Sequence, residues 1–123
     1  MQTLHTYAGP VIHGRHRGKT LGFPTANLHI HSAVPHGVYI STVVFEGHTY
    51  PSATFIGPSE TFGETEYLSE THIIDFSADI YGKTLVVTLH TYLRPSRKFP
   101  SIAALVEQMG HDIMAVRSHD FRS

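Results

Sequence analysis

The chain has 123 residues, 41% hydrophobic and 15% charged, and carries a net charge of −1 with its histidines neutral. That length and composition fit one globular domain over residues 1–123, too short for two and too apolar for disorder. There is no basic excess of the kind a general nucleic-acid binder needs, no cysteine for a disulfide or thiolate metal site, and no apolar run near the ~18 residues of a membrane span.

In chain order, Met1 to Pro10 has no apolar stretch of signal-peptide length, and a cytoplasmic location is expected. Thr6 to Gly14 reads as a first strand. Gly37 to Phe45 (GVYISTVVF) is the strongest strand, rich in β-branched and aromatic residues. Glu46-Gly47 signals a turn, and His48 to Ile56 returns as the next strand. Glu70 to Phe76 and Thr84 to Leu93 read as two more, separated by a turn at Tyr81-Gly82-Lys83. After Ser101, a good N-cap, Ile102, Leu105, Val106, Met109, Ile113 and Val116 recur at helical spacing. Gly110 lies inside that run and is expected to break or bend the helix there.

Consecutive strands followed by one helix predict a mainly β protein, an antiparallel β-barrel with a C-terminal α-helix. They exclude a doubly wound nucleotide-binding sheet. Gly18-Lys19-Thr20 ends like a P-loop, but Gly14 is four rather than five positions upstream of Gly18, and Pro24 interrupts the helix that should follow. The eleven histidines are scattered. The pairs His13/His16 and His29/His31 lack a third ligand at metal-site spacing, so solvated surface positions are expected.

Residues 14–28 read GRHRGKTLGFPTANL. Gly14, Gly18 and Gly22 alternate with Arg15, Arg17 and Lys19. Glycines let backbone amides approach an anion, and basic side chains supply countercharge. Thr25 and Asn27 offer hard oxygens two residues apart, on one side if the stretch is extended, and hard oxygens suit Mg²⁺. From chemistry alone two readings stand: a phosphate and Mg²⁺ site, or an ordinary Gly/Pro turn with a solvated basic face.

The segment resembles the signature of the ATP-dependent riboflavin kinase family, found alone or as the C-terminal module of bifunctional FAD synthetases. Pro24-Thr25-Ala26-Asn27 is its most specific element. The resemblance continues in order through Gly37-Val38-Tyr39, Ile56-Gly57 with Thr61-Phe62-Gly63, Glu70-Thr71-His72-Ile73, Asp75-Phe76 with Asp79-Ile80-Tyr81-Gly82, and Tyr92-Leu93-Arg94 with Lys98-Phe99 and Leu105. It covers about Gly9 to Asp112. The family fold it implies is a six-stranded antiparallel barrel with a C-terminal helix.

The implied activity is transfer of the γ-phosphate of ATP to the terminal hydroxyl of riboflavin, giving FMN, with Mg²⁺ as cofactor. The resemblance assigns Gly14 and Lys19 to the ATP-phosphate loop, Thr25 and Asn27 to Mg²⁺ with Thr25 also near the phosphates, and Glu70 to proton acceptance from the hydroxyl. It sets Ile73, Asp75 and Tyr81 along the nucleotide, and Arg94 and Arg97 on the flavin side. Leu105, Met109 and Ile113 are either one wall of an apolar flavin slot or simply core. Partners are then riboflavin or FMN and ATP or ADP, with no nucleic acid or membrane, and the chain is expected to act as a monomer.

Two features qualify the resemblance. Glu60 stands directly before Thr61 where the family usually has proline, with Pro58 two residues earlier, so this loop is expected to take its own course. No HxGH adenylyltransferase motif is present, which argues against FAD synthesis by this chain alone. The competing functions are a non-catalytic flavin- or nucleotide-binding barrel, and a barrel that binds RNA or protein. Thr25, Asn27 and Glu70 together disfavour the first, and the near-neutral charge disfavours the second.

Overall fold

A computed structural model describes residues 5–12, 25–30, 34–58 and 67–121. Six antiparallel strands are followed by one helix. The strands are β1 (His5–Pro10), β2 (Ala26–His29), β3 (Gly37–Phe45), β4 (His48–Gly57), β5 (Leu68–Ile73) and β6 (Thr84–Arg94); the helix is α1 (Ile102–Ser118). The sheet order is β1-β6-β3-β4-β5-β2. Its two edge strands then meet at a single bridge, Ile12 to Asn27, where the Ile12 amide donates to the Asn27 carbonyl at 2.8 Å. The result is a nearly closed barrel.

Local chemistry explains the frame. Glu46 and Gly47 both take positive φ, 48° and 81°, which a two-residue type I′ hairpin turn requires. That turn sets the β3–β4 register at Phe45 opposite His48. Along β3 and β4 the side chains alternate between two layers. Tyr39, Val43 and Ile56 pack inward with Leu28, Leu85, Val87 and Leu89. Ile40 and Ala53 face outward, where Ile74 and Val116 cover them, with Leu93 and Ile113 alongside. The helix therefore lies on the outside of the barrel, across β3 and β4.

The barrel interior also carries polar groups, and they bond to one another. Ser41 Oγ meets Ser52 Oγ at 2.7 Å and Thr54 Oγ1 at 2.8 Å, and Thr54 Oγ1 meets Thr71 Oγ1 at 2.8 Å. All four residues are fully buried. The Tyr7 hydroxyl bonds Ser69 from across the barrel, and burial pushes its pKa up to about 12. Buried hydroxyls without partners would be costly, so such a chain has to close on itself.

The differences from the expected elements have local causes. Strand β2 was not anticipated, being four residues cut from a stretch that reads as a turn. Strand β1 stops at Pro10, and Ile12 then bridges to Asn27 of β2 rather than to β6. Strand β5 runs two residues earlier than expected and ends at Ile73, because the chain turns at Ile74-Asp75 with Asp75 at φ 54°. The helix begins as the sequence indicates, the Ser101 hydroxyl accepting from the Ala104 amide at 3.1 Å. It does not break at Gly110; packing of its buried face outweighs one poor helix former.

Candidate active site

Pairing registers bring distant residues into one line on the outer face of the barrel. Asn27 on β2 stands opposite Glu70 on β5. Glu70 stands opposite Phe55 on β4. Phe55 pairs with Val38 on β3, and Val38 with Arg94 on β6. With strands ≈ 4.8 Å apart, the four steps from Asn27 to Arg94 cover about 19 Å along the sheet. Register shifts in β6, where Leu93 and His90 are the extra residues, are what bring Arg94 into this row.

At one end of the row, Asn27 and Glu70 are directly opposite, which puts their Cβ atoms about 5 Å apart. Both are buried, at 4% and 8% exposure. The Asn27 amide is oriented by its own chain: Nδ2 donates to the Thr25 carbonyl at 3.5 Å. Its Oδ1 is buried and has no hydrogen-bond partner among the described residues. An oxygen acceptor left in that state beside a carboxylate is costly unless a cation or ligand donor completes it. Thr25, half-buried, stands two residues before Asn27 and carries a hydroxyl. This donor set consists of hard oxygens and fits Mg²⁺.

Residues 13–24, which include Gly14 and Lys19, lie outside the described residues. Their two ends are placed. The segment leaves after Ile12 and returns at Thr25, and the Ile12–Asn27 bridge ties the ends together. Beside the exit, the Val11 amide donates to the Lys83 carbonyl and the Gly82 amide to the Val11 carbonyl, each at 2.9 Å. The Tyr81-Gly82 turn is thereby set against Val11. Tyr81 is 54% exposed, and its amide is held by Asp79 Oδ1 at 3.2 Å.

At the other end of the row, Arg94 reaches the helix. Nε donates to Asp112 Oδ1 at 2.9 Å and Nη2 to Asp112 Oδ2 at 2.8 Å, a two-pronged pair. Nη1 donates to the Pro95 carbonyl at 3.3 Å, and Gln108 Nε2 supports Asp112 Oδ1 at 3.1 Å. The Arg94 and Arg97 guanidiniums lie 5.6 and 4.6 Å from the centre of the buried Phe99 ring. Leu105 and Met109 are half-buried and share the helix face of Asp112 by their four- and three-residue spacing. Ile113 instead packs into the layer with Ile40 and Ala53.

Two candidates stand apart from the row. The Ile73 side chain points into the barrel core. Asp75 lies on the surface, paired to Arg117 through two 3.0 Å bonds, and that guanidinium holds its carboxyl below the usual range. The altered stretch before Thr61-Phe62-Gly63 falls within residues 59–66, outside the described residues. Sequence reasoning missed Val38, Phe55, Gln108 and Asp112. For Asp112 a signal existed, a carboxylate one position before Ile113 inside the apolar stripe with Gln108 one turn earlier. Val38 stood within the Gly37-Val38-Tyr39 element, but nothing there or around Phe55 signalled a place in this row, which only long-range register gives.

A nearly closed six-stranded antiparallel barrel with one helix on its outside, and a buried amide opposite a buried carboxylate beside its seam, is the class of domain that the fold and the site define. The chain matches the riboflavin kinase (Flavokinase) family over residues 1–119 and belongs to that family. It is 36% identical over 118 residues to the bifunctional riboflavin kinase/FMN adenylyltransferase of Listeria monocytogenes, covering 93% of this chain and 38% of that protein. Riboflavin kinase from Trypanosoma brucei superposes with a TM-score of 0.62 at 26% identity, over 91% of this chain and 76% of that one. A Streptococcus pneumoniae protein described as a macrolide-efflux protein superposes with a TM-score of 0.81 at 35% identity, over 94% of this chain and 39% of that one. The chain spans between 17% and 39% of the length of the curated relatives it matches. Among the described residues no helix is long and apolar enough to cross a membrane.

Proposed function

We propose that this chain transfers the γ-phosphoryl group of ATP to the terminal hydroxyl of riboflavin, releasing FMN and ADP. The observation that carries this reading is the Asn27–Glu70 cross-strand pair, with an amide oxygen that has no partner among the described residues, at the head of a row that ends in Arg94. A substrate with a hydroxyl-bearing chain at one end and a polar-edged ring at the other matches that layout.

In the transfer, the riboflavin oxygen forms a bond to Pγ as the bond from Pγ to the β–γ bridging oxygen breaks. The electron pair leaves with ADP, and the hydroxyl proton passes to the Glu70 carboxylate. Thr25 and Asn27 are the residues that would hold Mg²⁺, whose part is to neutralise charge on the phosphate oxygens. Gly14 and Lys19 are assigned to the ATP phosphates. Tyr81 is assigned to the nucleotide side, and Arg94 and Arg97 to the flavin side; Ile73, packed in the core, and Asp75, paired to Arg117, are not among the groups proposed to touch substrate. The domain is taken to act as a cytoplasmic monomer, with no nucleic acid or membrane as partner. A non-catalytic binding barrel is the lesser reading, because nothing in it requires a buried carboxylate opposite a buried amide.

The test is incubation with riboflavin, ATP and Mg²⁺, with the flavins resolved by chromatography. The parent should make FMN, and Glu70→Gln and Asn27→Ala should each lose about 100-fold or more. FMN from all three would keep the kinase and discard the site. No FMN from folded parent, including with Mn²⁺ or CTP, would leave the binding barrel.

A further inference from the structure

A guanidinium carries five N–H groups. Three of those on Arg94 are engaged: the inner Nε–H and one Nη2–H on Asp112, and one Nη1–H on the Pro95 carbonyl. One N–H on each terminal nitrogen remains, and the side chain is still 18% exposed. Its partner is placed quite differently. Asp112 sits mid-helix at 5% exposure, and the contacts described for its carboxylate are Arg94 and Gln108.

A buried ion pair is weak as a stabilising device, because desolvation offsets its attraction, and an apolar pair would fasten α1 to β6 as well. What two parallel bonds provide beyond attraction is a fixed plane. Lysine would give a point charge here; arginine against a carboxylate gives an oriented fork. Phe99 lies 5.6 Å from the same guanidinium and limits its tilt. The fork also stands in the Val38–Phe55–Glu70 row, on the helix face shared with Leu105 and Met109.

We propose that Asp112, backed by Gln108, is a positioning residue that fixes the Arg94 guanidinium so that its two remaining N–H groups meet acceptors on the polar edge of the flavin ring. The inference rests on the riboflavin kinase reading and deepens it, by naming what holds the flavin-side arginine. Asp112 itself touches no substrate. Its effect should fall on the flavin and spare the nucleotide.

The experiment uses the full chain. Riboflavin affinity is read by flavin fluorescence titration, and KM for each substrate and kcat by FMN formation. Asp112→Asn keeps the shape and removes the charge. It should raise the riboflavin Kd and KM about tenfold, with KM for ATP within about twofold. Arg94→Lys should do the same, since lysine cannot make the fork. The double variant Arg94→Ala with Asp112→Asn should be no worse than Arg94→Ala alone, because the two act as a unit.

A folded Asp112→Asn protein with parental riboflavin Kd and KM would overturn the proposal. So would losses that multiply in the double variant, or an equal rise in KM for both substrates. If Asp112→Asn does not fold, Gln108→Leu decides: a roughly threefold rise in riboflavin KM or Kd supports the proposal, and no change overturns it. A parent that binds riboflavin but makes no FMN fails the kinase reading, and the titration still decides the role of Asp112.

Discussion

Asn27→Leu should make the ligand-free protein more stable and leave it inactive. The Asn27 Oδ1 is buried without a described partner, and such a group costs about 1–3 kcal/mol. Leucine has the same branched heavy-atom skeleton, with two methyl groups in place of the amide oxygen and nitrogen, and removes that cost. What it sacrifices is one long bond, Nδ2 to the Thr25 carbonyl at 3.5 Å, close to the limit for a hydrogen bond. The net expectation is a gain of about 1 kcal/mol or more. For a domain of this size that raises Tm by about 4 °C. The parent, in turn, should gain about 2.7 kcal/mol from Mg²⁺–nucleotide at 100 times its Kd, and the leucine variant should lose most of that increment. Thermal unfolding with and without Mg²⁺–ATP, run beside FMN formation, reads all three effects. The reasoning is refuted if Asn27→Leu lowers Tm without ligand while keeping the full ligand-induced shift. Asn27 would then be an ordinary structural residue of β2.

Further expectations follow from other parts of the molecule. The Tyr7 hydroxyl titrates at about 12 in the folded barrel against 10.0 when free, so its neutral form is favoured by folding and that stability is lost as pH rises from about 10 through 12. Between pH 9 and 11.5 the parent should lose about 2 kcal/mol more than Tyr7→Phe in urea unfolding; parallel losses would show that Tyr7 is not the titrating group. Gly37 sits at φ 147°, and a Cβ there would lie 2.9 Å from the Arg94 carbonyl and 2.5 Å from the Tyr92 ring. Gly37→Ala should therefore cost about 2 kcal/mol or more, seen as a Tm lower by about 8 °C. Gly110→Ala should do the reverse, since a Cβ there meets nothing within 4 Å; a gain of up to ~1 kcal/mol by denaturant unfolding is expected.

The sequence conveyed the elements whose signals are local. The Glu46-Gly47 turn, strand β3 and the Ser101 cap were legible because each rests on a few adjacent residues. Strand β2 was not, since Pro24-Thr25-Ala26-Asn27 carries turn chemistry, and its extended form depends on pairing with β5. Gly110 misled because propensity is a small term beside the burial of Val116 and Asp112 on the same helix. At the site, the resemblance named Asn27 and Glu70 separately, but their meeting face to face is a matter of register between two strands distant in the chain. Asp112 looked like one more charge on a helix, and its burial appears only when β6 delivers Arg94 to it.

The place of β1 in the sheet order bears on how the chain reaches this state. Strand β1 is the first strand of the barrel in chain order, yet it pairs with β6, joining His5 to Leu89 and Pro10 to Thr84. It must wait, unpaired, until most of the chain has emerged, and closing so large a loop carries an entropic cost before any contact offsets it. The β3–β4 hairpin, held by a two-residue turn, can form within microseconds and serve as the template. Barrel closure at Ile12–Asn27 then comes last, so folding should be slow, in the millisecond-to-second range of topologies dominated by non-local contacts. Competence to bind Mg²⁺–nucleotide should appear only in that final phase, because the seam that completes the barrel is also the seam that presents Asn27.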